Sequence, residues 1–294
     1  MKLARYWTRQ EGEATAPGGE RIRVVSRGWS NESLEAAAAV ARGVARKVAE
    51  RIASGQTAGQ RYGYGDRPLP EPVLREFRNG GDTPSAVVTR NSYGSLVLNA
   101  RDLMFVDIDR ESPPKQVAEI AQNLIFGLRS IFGKPAAPAP PPPPPMDPVV
   151  AGIRGVAERN GLGVRVYKTA AGYRVLITSA PFEAGSGQSE SLLQQFGSDP
   201  LYLKLCRTQE SFRARLTPKP WRCGLRLPPV SFPFETGEAE ARFRDWEQKY
   251  TASIARFATC RYLGSFGSGM NSGFADLIEY HDQETKASAI LPLA

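Results

Sequence analysis

The apolar positions change period several times along the chain, and the changes mark the elements. Two short extended runs, residues 3–8 and 21–27, flank the turn Pro17-Gly18-Gly19. Ser30 or Asn31 then caps a helix over 34–52, where Val40, Val44, Val48 and Ile52 recur every four residues and predict the packed face. Arg42, Arg46, Lys47 and Arg51 lie on or beside the opposite face and read as solvated. After a Gly, Tyr and Pro-rich loop over 55–72, strands at 86–89 and 95–98 flank Asn91-Ser92-Tyr93-Gly94, a hairpin turn in which Gly94 takes positive φ. A third apolar strand follows over 103–109, and the three are expected to form a meander.

Helical spacing resumes over 114–132, with Val117, Ile120, Leu124, Leu128 and Ile131 on one stripe. Residues 138–145 are almost unbroken proline, an extended segment that joins two domains or forms a surface insertion in one. Asp147-Pro148 opens a helix to residue 159. A second hairpin is predicted from strands at 164–167 and 173–178 around Ala170-Ala171-Gly172. Helices at 189–196 and 199–206, a strand over 211–216, a helix over 237–257 and a strand over 276–280 complete the pattern. On the 237–257 helix, Phe243, Trp246, Tyr250 and Ile254 share a face. The sum is an α+β fold of antiparallel meander and hairpins covered by helices, with a proline-rich insertion. It divides into an N-terminal half, 1–134, a spacer, 135–147, and a C-terminal half, 148–294, and the halves can form one composite domain.

Composition sharpens this. The 294 residues include 38 basic and 30 acidic ones, for a net charge of +8. Residues 204–226 hold seven cations against Glu210, a local +6, so the excess is concentrated rather than spread. Arg213 and Arg215 alternate in an extended run and share a face, with Phe212 and Leu216 on the other. Lys219, Trp221 and Arg222 follow in a proline-stiffened loop. Guanidinium groups bind phosphate oxygens bidentately and an adjacent Trp stacks on a base, so this segment is the expected phosphate or nucleic-acid contact. The same arginines would otherwise pair with carboxylates, with Trp221 in the core. The hairpin at 167–176 offers backbone N–H groups to a phosphate, although a plain tight turn explains it equally.

Asp107 and Asp109 project from one face of the third strand. Two carboxylates held side by side repel, and Mg²⁺ or Mn²⁺ relieves that repulsion while bridging to substrate phosphates. The pattern also fits a strand that simply ends in water. Cys206, Cys223, Cys260 and His281 are zinc-ligand types at long spacings, and His281-Asp282 reads more simply as a surface ion pair. No run approaches the length of a membrane helix, no apolar core follows the basic N-terminus, and the three cysteines are scattered, so a reducing cytoplasm and no membrane contact are expected.

The order Phe105-Val106-Asp107-Ile108-Asp109, a helix, then Thr169-Ala170-Ala171-Gly172-Tyr173-Arg174-Val175-Leu176 resembles the archaeo-eukaryotic-type primase-polymerases over roughly residues 85 to 180. The resemblance implies that Asp107 and Asp109 hold divalent metals and are catalytic, with Asp276 or Glu279 left for a third carboxylate. It also implies that Arg174 binds the ligand, while Val175 stands where the family has a nucleotide-contacting histidine. The segments YGYGDRPLPEPV, VTRNSYGSLVLN and FRARLTPKPWR are similar to those of uncharacterised bacterial proteins, which supplies no function. The expected function is therefore binding of a nucleotide or nucleic-acid phosphate, with nucleotidyl or phosphoryl transfer if the metal is catalytic. The alternative is a non-catalytic cytoplasmic interaction protein that docks a protein partner on its proline run.

Overall fold

Strand β1 (Tyr6–Thr15) pairs antiparallel with β2 (Arg21–Ser30) in the computed structural model, which describes residues 1–55, 67–109, 147–267 and 269–294. The expected 114–132 helix and the 138–145 proline run lie outside these residues. Helix α1 (Leu34–Ala53) follows, capped by Ser33, whose Oγ accepts from Ala36 N at 3.0 Å, rather than by Ser30 or Asn31. Asn31 is used elsewhere: its side chain accepts from Arg5 N and donates to Leu3 O.

The face of α1 also differs from the valine stripe. Ala37 and Ala41 are buried, while Val40 is exposed. The cause is the closeness of the hairpin. A Cβ on Gly28 would stand 2.0 Å from Ala37 O and 2.4 Å from Ala41 N, and Ser26 Oγ donates to Ala41 O at 2.7 Å. Glycine at 28 and small residues at 37 and 41 permit that approach, so small size outcompetes hydrophobicity. Gly28→Val is expected to push helix and hairpin apart and to cost about 1–3 kcal/mol. A urea unfolding midpoint unchanged from the parent's would show that this contact is absent.

The rest of the described chain forms two four-stranded antiparallel sheets. One contains β3 (Val73–Phe77), β4 (Ala86–Arg90), β5 (Leu96–Ala100) and β9 (Phe212–Arg215), in that order. The other contains β10 (Cys260–Phe266), β7 (Val164–Thr169), β8 (Gly172–Ile177) and β6 (Met104–Asp109). The meander is therefore corrected. β4 and β5 form the hairpin, with Gly94 at φ +83°, but β6 leaves it and pairs with β8. Met104, Phe105 and Val106 are buried on both faces, and an apolar run of that kind suits a strand enclosed between layers. Since β6 precedes the proline run and its sheet partners follow it, while β9 does the reverse, each sheet draws on both halves of the chain.

Helices α2 (Pro148–Arg159), α3 (Gly187–Gln195), α4 (Pro200–Gln209), α5 (Gly237–Ile254) and α6 (Ala275–Thr285) cover the sheets. Asp147 caps α2 through Val149 N, with Pro148 in its first turn, as the sequence signals. Residues 276–280, expected as a strand, belong to α6. Leu277, Ile278, His281 and Thr285 are its buried positions, a helical spacing visible only over a window longer than five residues. On α5, Phe243, Trp246 and Tyr250 form a second cluster, as predicted. Tyr250 Oη donates to Pro218 O and lies in hydrogen-bond contact with Thr217 Oγ1, which anchors the loop after β9.

Candidate phosphate and metal site

Alternation along β6 places Phe105, Asp107 and Asp109 on one face. The β6–β8 register sets Asp107 opposite Arg174 and Asp109 opposite Gly172. Directly opposed residues share a face, so Arg174 joins the acidic side of the sheet. Val175 points the other way and is fully buried in the core. The position that faces the acids is thus 174, and the absence of histidine at 175 leaves the acidic face unchanged.

The main chain of Asp107 recruits a third acid. Its carbonyl accepts from Asp199 N at 3.0 Å and from Ser198 Oγ at 3.1 Å. Asp199 also caps α4 through Leu201 N, and that ordinary role is why the sequence did not single it out. Burial raises the Asp109 carboxyl above its usual range; Asp107 and Asp199 push it further up, while Lys219 and Arg215 pull it down. Asp276 and Glu279, the candidates for a third carboxylate, are exposed on α6, and Glu279 accepts from Gln283.

The cations come from β9 and its loop. Burial lowers the Arg215 guanidinium, Arg174 adds to the effect, and Asp107 opposes it. Burial also lowers the Lys219 amine, followed by Arg215 and Arg222, while Asp109 and Asp107 pull it back up. The acids and cations therefore lie within each other's field. Yet among the described residues no side-chain hydrogen bond or ion pair engages Asp107, Asp109, Arg215 or Arg222. Trp221 is 49% exposed, meets Tyr93 edge-on at 5.3 Å between ring centroids, and has Lys219 Nζ 5.3 Å from its ring.

Arg213 is the correction. It shares a pleat face with Arg215, as expected, but its Nη2 donates to both Glu71 oxygens at 2.8 and 2.9 Å and its Nη1 to Asn99, all buried. Its guanidinium is committed to structure and has no capacity for a phosphate. Glu71 lies 142 residues away in sequence, so no local pattern reveals the pairing. The predicted group Asp107, Asp109, Arg174, Arg215, Lys219, Trp221 and Arg222 comes together without it.

The zinc alternative is also removed. Cys206, Cys223 and Cys260 are buried free thiols, and His281 is fully buried rather than a surface ion pair. Among the described residues no group of three or more His, Cys, Asp or Glu is placed to hold a metal ion. Asp107 and Asp109 remain as a pair of hard oxygen donors, unneutralised and mutually repelling. That fits a cation whose other ligands are phosphate oxygens and water. In the 167–176 hairpin, Gly172 N donates to Thr169 Oγ1 at 3.0 Å, so that amide closes an ordinary turn. A cavity of about 470 Å³ lies elsewhere, between Trp7, Phe232, Phe234 and Phe243, and its Arg90 is already paired with Glu247.

Fold and site together define an α+β protein in which an acidic strand end faces a basic loop across two interlocked sheets. No family model matches the chain, and no curated protein or solved structure matches it. Among the described residues no helix is long and apolar enough to cross a membrane.

Proposed function

We propose that the protein binds the phosphate groups of a nucleotide or nucleic acid. In this reading a divalent cation links Asp107 and Asp109 to phosphate oxygens, and Arg174, Arg215, Lys219 and Arg222 take the remaining charge. The observation that carries it is the pairing left unmade. Burial is the largest influence on both Asp109 and Arg215, and charges withdrawn from water are normally paired or bound to an ion. Here the acids and arginines stay apart, which leaves both sets for a ligand that is itself anionic and metal-loaded. Trp221 offers a ring to a base beside them. A bound Mg²⁺ or Mn²⁺ would supply the Lewis acidity for transfer of a nucleotidyl or phosphoryl group. The chain's own share is to orient the phosphates, with Arg215 and Lys219 neutralising charge opposite the carboxylates.

Affinity for a single-stranded oligonucleotide in Mn²⁺ is expected to fall steeply and linearly in log–log form with added salt. Lys219→Ala and Arg222→Ala should each reduce that slope by about one. Fluorescence anisotropy measures it, and a flat salt response overturns the proposal.

A further inference from the structure

Arg174 is 5% exposed, and a buried guanidinium normally keeps a carboxylate beside it. Buried Arg213 obeys that rule by holding Glu71, and even the half-buried Arg165 holds Asp282. Arg174 does not. Its Nη1 donates to Arg215 O at 2.8 Å and lies 3.1 Å from His281 Nε2, and among the described residues no carboxylate comes within ion-pair distance. Both acceptors are neutral, so the positive charge stays whole.

His281 is fixed for this task. A guanidinium has no lone pair to offer, so Nε2 must be the acceptor in the contact with Arg174. The ring proton then sits on Nδ1, which donates to Asp282 Oδ1 at 2.9 Å. Asp282 is itself held, through Tyr167 Oη at 2.7 Å and through Arg165. Phe105 stacks on the imidazole at 5.9 Å and 28°, and Tyr167 meets it edge-on at 5.0 Å. Burial holds the imidazole down to about 4, so it is neutral at physiological pH. Phe105 and Tyr167 lie on the same sheet face as Asp107, so the assembly stands on the acidic side of the sheet.

We infer that His281 is a positioning residue that presents Arg174 as an unneutralised cation to the phosphate of the ligand. The inference rests on the proposed phosphate-binding reading. It explains why an imidazole, and no carboxylate, occupies this buried position. An acid there would accept the same hydrogen bond but cancel the charge the ligand needs.

The test is a double-mutant cycle read by calorimetric binding of Mn²⁺–ATP and of inorganic tripolyphosphate. Arg174→Met should weaken both by about tenfold or more, the cost of one charge-assisted hydrogen bond. His281→Leu should weaken binding comparably in the parent and add nothing in the Arg174→Met background. Equal losses in both backgrounds would mean a purely structural role and overturn the inference. Parent-like affinity in Arg174→Met also overturns it, while loss of binding in Arg215→Ala would still uphold the phosphate-binding reading. ¹⁵N NMR of the unsubstituted protein provides a readout independent of variant folding. His281 should show the Nδ1-protonated tautomer, and the Nε2-protonated form excludes the arrangement.

Discussion

Replacing Asp107 and Asp109 together by asparagine is expected to abolish Mn²⁺-dependent nucleotide binding and to raise the melting temperature of the metal-free protein. The two outcomes share one cause. Asp109 loses solvation and is repelled by Asp107 and Asp199, and these effects outweigh the attraction of Lys219 and Arg215, since its carboxyl is raised overall. The folded state therefore prefers the protonated form. The stability this group contributes is fully present below its unfolded value, near 3.8, and is lost as pH rises through the higher folded value. At neutral pH the charged pair is a standing cost, of the kind functional sites carry. Asparagine keeps the shape and removes the charge. The gain in melting temperature should thus be clear at pH 7 and shrink as the parent's Asp109 becomes protonated in acid. Thermal melts across that range measure it, and calorimetry with Mn²⁺ and ATP measures the binding. A loss of at least about a hundredfold is expected when both carboxylate ligands are gone. Unchanged binding in the double variant would mean that the carboxylates hold no functional metal.

What could be read from the sequence was local. The turn at Asn91-Ser92-Tyr93-Gly94 needs a positive φ at Gly94, and Asp147-Pro148 is a complete helix start within two residues, so both are where the pattern put them. Alternation likewise placed Asp107 and Asp109 together, and Arg213 beside Arg215, because a pleat is a property of neighbours. Pairing across the fold was not legible. Nothing in 103–109 says that β6 pairs with β8 rather than with β5, because its apolar residues suit either sheet. β10 is not legible as a strand because its register with β7 shifts between Tyr262 and Gly264, where Leu263 is left without a partner. Asp199 reads only as the first residue of a helix; it is the cap, and its second role comes from the hydrogen bond to Asp107 O. His281 looked like a surface residue because its buried partners Phe105, Tyr167 and Arg174 are more than a hundred residues away. The candidate site was therefore legible as a set of residue types and not as a division between structural and available charges.

That division predicts opposite behaviour for two arginines on one strand. Arg213→Met is expected to destabilise the fold by about 3–5 kcal/mol, since it strands the Glu71 carboxylate in the interior. Both partners are only 7% exposed at the side chain. Glu71 also accepts from Thr89 Oγ1, and Asn99 Nδ2 donates to Thr89 at 2.9 Å, so loss of the guanidinium unsettles a connected network. Glu71→Gln should cost a similar amount for the converse reason, an uncompensated buried cation. Removing both charges with Glu71→Leu and Arg213→Met should recover much of the loss, because an apolar pair carries no desolvation penalty. Arg215→Ala should cost less than about 1 kcal/mol, since no ion pair is broken. The binding readout reverses the order. Arg213→Met, measured where it remains folded, should bind Mn²⁺–ATP like the parent, and Arg215→Ala should bind weakly. If Arg213→Met unfolds at the parent's urea midpoint, the buried pair is not the constraint the geometry indicates. If it loses nucleotide while Arg215→Ala retains it, the assignment of one arginine to the fold and the other to the ligand is the wrong way round.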